Sequence, residues 1–60
     1  MTVKRETYSA WGTLIDTRNV ELTVSKTFKQ YAFHLGVELE KGQRSFTVEI
    51  GNQKIRYTRL

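Results

Sequence analysis

Apolar and polar positions alternate along most of this chain, and the alternation predicts strands. Val20, Leu22 and Val24 alternate with Glu21 and Thr23, the period of a strand with one buried face. Residues 5 to 16 are also strand-like, with Tyr8, Trp11, Leu14 and Ile15 spread over both faces and Gly12 placed where a bulge switches them. Thr17, Arg18 and Asn19 supply a turn, so the first two strands are expected as a hairpin. Further on, a two-residue loop at Gly42-Gln43 sets Leu39 opposite Phe46 and Val37 opposite Val48, with glycine available for the positive φ of a type II′ turn. Gly51-Asn52-Gln53 predicts another turn, and Lys54 to Leu60 a last strand with Ile55 and Tyr57 on the apolar side.

Residues 25 to 35 carry two periods at once. Phe28, Tyr31, Ala32 and Leu35 follow a helical stripe, while Tyr31, Phe33, Leu35, Val37 and Leu39 alternate like a strand. Ser25 as N-cap, or Thr27-x-x-Gln30 as a capping box, together with Gly36 just past the end, favours a helix. The expected fold is therefore α+β, of order ββαβββ, with an antiparallel hairpin on each side of one helix. If the strand period wins, the chain becomes an all-β five-stranded antiparallel meander or small barrel.

Size bounds what such a fold can do. A chain of 60 residues buries only about 60% of its unfolded surface and supports one core, so residues 1–60 are read as a single domain. There is no Cys to staple it and one His, His34. A Cys-free small domain fits a reducing compartment, and neither a run of roughly 20 apolar residues nor an apolar leader after Met1 is present, so cytoplasm and no membrane association are expected.

Across residues 26–37 the segment Lys26-x-Phe28-Lys29-Gln30-Tyr31-Ala32-x-x-x-Gly36-Val37 resembles the helix and helix exit of the immunoglobulin-binding domain of streptococcal protein G, and Phe46-Thr47-Val48 resembles that family's final strand. The resemblance implies a β-grasp, two hairpins packed on one helix. It also makes the helix face carrying Lys26, Lys29 and Gln30 similar to the family's antibody Fc contact. The chain departs from the pattern at Ser25, where the family has glutamate, in having no tryptophan after Val37, in a shorter second hairpin, and in residues 51–60, which have no counterpart.

The candidate chemistry points to binding rather than catalysis. A nucleophilic triad needs a base and an orienting acid, and His34 is the one imidazole. On a strand His34 and Glu38 stand about 13 Å apart, too far to share a metal ion. No phosphate loop or zinc spacing is present, so no cofactor and no metal are expected. Two binding readings follow. Phe33 lies off the core stripe of the helix beside Lys26, Lys29 and Gln30, which suits a protein partner of an inhibitor or adaptor type, or a homodimer contact. The net charge of +4 with Lys54, Arg56 and Arg59 crowded around Tyr57 near the end suits, as the alternative, a nucleic acid.

Overall fold

The computed structural model describes residues 1–23 and 27–60. The strands are β1 (Thr2–Tyr8), β2 (Leu14–Glu21), β3 (Ser45–Ile50) and β4 (Gln53–Arg59), with one helix, α1 (Phe28–His34), between the hairpins. The order is ββαββ among the described residues, which corrects the expected ββαβββ and replaces the five-stranded meander. The sheet runs β2-β1-β4-β3, and every neighbouring pair is antiparallel, including the central β1 and β4. A β-grasp joins its two hairpins through a parallel central pair, so the sheet here matches that fold in strand count and order and differs from it in the direction of β1 against β4.

The missing strand is the one expected at Val37 to Glu40. The helix ends in a Schellman cap: Gly36, at φ 83°, donates its N–H to the Phe33 carbonyl and Val37 to that of Ala32. With its N–H committed to the helix, Val37 does not begin a ladder. The chain instead runs back as a loop closed by the Gln43 N–H on the Glu40 carbonyl, and Leu39 is buried from that loop. Burial, not pairing, explains the apolar alternation of this segment. The tight turn sits one step later, at Gly51-Asn52, where Gly51 has φ 61° and Ile50 pairs with Gln53.

The first hairpin also turns elsewhere than expected. Thr17, Arg18 and Asn19 lie inside β2, and the turn spans Ser9 to Thr13, where the Ser9 hydroxyl accepts the N–H groups of Trp11 and Thr13. The bulge is present, but on β2: Thr7 pairs with Asp16 and Tyr8 with Leu14, leaving Ile15 as the extra residue.

Helix α1 forms where its stripe, cap and exit agree. Thr27 is the N-cap, its hydroxyl accepting from the Gln30 N–H while the Gln30 side chain accepts from the Thr27 N–H, both at 3.1 Å. Ser25, the other candidate cap, lies outside the described residues. Thr27→Ala is expected to cost about 1 kcal/mol, or about 4–8 °C in the melting midpoint of a domain this size, read by thermal denaturation. The core comprises Val3, Leu22, Phe28, Ala32, Leu39, Phe46 and Tyr57. Its centre is aromatic: Phe46 stacks on Tyr57 at 5.3 Å and tilts against Phe28 at 5.1 Å, and Tyr31 meets Tyr57 edge-on at 5.3 Å.

Candidate interaction surfaces

Because strand side chains alternate, the cross-strand register divides the sheet into two faces. Val3, Tyr57 and Phe46 define the face under the helix. The opposite face carries Lys4, Glu6, Tyr8, Lys54, Arg56 and Glu49. This division splits the expected basic strip of β4. Lys54 and Arg56 stand on the open face, whereas Tyr57 points into the core at 6% exposure and is no stacking platform for a base. Arg59 belongs to the helix side, where it lines a groove of about 510 Å³ with Lys29, Lys41, Glu40, Phe28 and Leu39.

Arg56 is also engaged. Its Nε and Nη2 donate to Glu6 Oε1 at 3.0 and 2.8 Å, the Tyr8 hydroxyl donates to Glu6 Oε2 at 3.1 Å, and the guanidinium carbon lies 5.8 Å from the Tyr8 ring centre. Glu6, at 8% exposure, is the one buried charged residue among those described. The hydrogen bonds from Arg56 hold its carboxyl below the ordinary carboxylate range, against the burial that raises it. On the same face Glu49 stands opposite Lys54. Of the two β4 cations of the open face, Arg56 is therefore bonded to an acid and Lys54 stands across from one in register, and the sequence hid the Arg56 pairing because Glu6 and Arg56 are 50 positions apart.

A depressed folded pKa stabilises the fold above the unfolded value, near 4.5, and that contribution is lost as pH falls through the folded value. The melting midpoint of Glu6→Gln is accordingly expected to lie below wild type at neutral pH, the gap closing below pH 4.5. A gap that is constant from pH 7 to 2 would contradict the pairing.

On the helix the exposed face is as the stripe predicts. Phe33 is 77% exposed, Lys29 and Gln30 are exposed beside it, and Gln30 is tied to Thr27 through the capping box. Lys26, expected on the same face, lies outside the described residues. Trp11 was expected in a strand; at 92% exposure it crowns the tip of the first hairpin, with Leu14 and Ile15 half-exposed just after it. The Ser9-x-x-Gly12 turn chemistry was the signal that could have placed it there. Burial pushes the Tyr31 phenol up to about 12.

Among the described residues no three His, Asp or Glu side chains gather to hold a metal ion, and no helix is long and apolar enough to cross a membrane. No family model matches the chain, and no curated protein or solved structure matches it significantly.

Proposed function

We propose that this chain is a non-catalytic protein-binding module, of inhibitor or adaptor type, whose contact centres on the outer face of α1. The observation that carries this reading is the placement of Phe33: every other apolar side chain of the helix turns to the core, and Phe33 alone presents an aromatic ring to solvent. Lys29 and Gln30 supply a polar rim on the same face, and Trp11 offers a second aromatic anchor at the hairpin tip. The sequence resemblance to an Fc-binding domain rests on residues 26–37 and 46–48, and it agrees with the use of this helix face.

A second reading is favoured by one observation. Arg59 joins Lys29 and Lys41 around the groove, where Glu40 is the one acid in the lining, and that concentration of cations suits a nucleic-acid backbone. It moves the basic site from β4 as a strip to Arg59 and its neighbours.

One experiment separates the two. The immobilised chain, Phe33→Ala, and Lys41→Ala combined with Arg59→Ala are compared as baits, and each is titrated with a labelled single strand and a duplex at low and moderate salt. Retention of a protein by wild type and by the charge variant, lost with Phe33→Ala, is the expected result. Micromolar or tighter nucleic-acid binding that falls with salt and with loss of Lys41 and Arg59 would overturn the protein-binding reading.

A further inference from the structure

Strand β2 is a sheet edge eight residues long, and among the described residues no strand pairs with its outer side. Its free backbone groups are identifiable. Leu22 donates its N–H to the Met1 carbonyl at 2.8 Å, and in an antiparallel pair the bonded residues alternate. Val20, Arg18 and Asp16, opposite Val3, Arg5 and Thr7, therefore bond inward to β1, while Thr17 and Asn19 direct their N–H and C=O groups outward. An unpaired edge of this kind is a template for another strand.

Two charges on β2 decide what that strand can be. Asp16 and Arg18 project from the helix-side face of the sheet, two residues apart, with Arg18 Nε 2.9 Å from Asp16 Oδ2. A lone inward charge on an edge strand blocks pairing, but two opposite charges at this spacing are complementary to themselves read backwards. Outward groups can only face outward groups, so a second copy related by a two-fold axis pairs odd positions with odd. Centring the axis on Thr17 sets Asp16 opposite the other copy's Arg18, twice. Centring it on Arg18 or on Asp16 instead sets like charges face to face, and centring it on Asn19 leaves both charges without a counterpart.

We propose that β2 is a homodimer edge, pairing antiparallel with β2 of a second copy about Thr17 to form a continuous eight-stranded sheet, with the register fixed by a square of two Asp16 and two Arg18 side chains. This contact uses neither Phe33 nor the groove, so it is independent of the partner-binding reading. The two-fold arrangement pairs the outward groups of Thr17 with those of the other copy's Thr17, and the bulge at Ile15 places the twist at the end of the paired stretch and not at its centre.

Sedimentation and light scattering of the full chain over a range of concentrations test it. Wild type is expected at twice the 7.0 kDa of the chain, with the Thr17 and Asn19 amides exchanging more slowly as concentration rises. Asp16→Arg and Arg18→Asp are each expected to weaken the dimer at least about 100-fold, because each brings like charges together twice. Mixed one to one they should re-form a dimer of one copy of each, since every cross-strand pair is then again opposite in sign. Thr17→Pro removes an N–H that no strand among the described residues uses and is expected to give a folded monomer, with far-UV circular dichroism as the check on folding. A wild-type monomer at every concentration would overturn the proposal and leave the edge to a strand of a different protein. A dimer that survives Thr17→Pro, or single variants that fold but do not pair when mixed, would overturn it as well.

Discussion

Replacing Phe46 with Ala is expected to lower the melting midpoint by about 12–40 °C, enough in the upper half of that range to leave no folded chain at room temperature. Phe46 is 4% exposed and holds Phe28, Tyr57 and Tyr31 together, with ring centres 5.1, 5.3 and 6.4 Å away. Truncating a buried Phe costs about 3–5 kcal/mol, and a domain of this length has about 3–9 kcal/mol in total. No disulfide shares the burden, because there is no Cys. The hole also cannot close easily, since its walls are β4 on one side and α1 on the other. Ile50→Ala, on the same strand but at 56% exposure, is the control and is expected within about 0.5 kcal/mol of wild type. Circular dichroism melts of the two variants give the comparison; a Phe46→Ala midpoint close to that of Ile50→Ala would show that the aromatic cluster is not the core.

What the sequence disclosed, and what it hid, follows from which physical signal each residue carries. The helix was legible because three independent signals agree at it: the stripe Phe28, Tyr31, Ala32 and Leu35, the Thr27-Gln30 capping pair, and Gly36. The β3–β4 hairpin was legible because Val48 and Ile55 alternate in step on both sides of a glycine turn. Alternation misled at Val37 to Glu40, because it reports which side chains are buried and is silent on what the backbone bonds to; Leu39 reaches the core from a loop. Polar residues misled at Thr17 to Asn19, because an edge strand reaching beyond the helix's cover carries polar side chains without penalty, so turn formers there mark solvation and not a turn. The basic strip was a contiguity in sequence that the two-residue period of a strand divides between two faces. Glu6 and Arg56 had no local signal at all, since antiparallel register alone brings them together.

The pairing of Glu6 with Arg56 bears directly on how the proposed contact should be tested, because Arg56 cannot be removed as though it were a free surface cation. Arg56→Ala leaves a carboxylate of 8% exposure without its charge partner, and any binding loss it produces is mixed with loss of fold. Phe33→Ala has no such complication: at 77% exposure it is expected to change stability by less than about 0.5 kcal/mol. Its effect on a partner is expected to be large. A central aromatic anchor is worth about 2 kcal/mol or more, so the dissociation constant for whatever protein the wild-type chain retains should rise about 30-fold or more. Lys41→Ala with Arg59→Ala, which removes two exposed cations of the groove and leaves Glu6 satisfied, should change it by less than about tenfold while flattening its salt dependence. Titration calorimetry against the retained partner, with unfolding curves on the same samples, reads both quantities. If the Phe33 variant binds as wild type while the charge variant does not, the contact lies at the cationic groove and the helix face is not its centre.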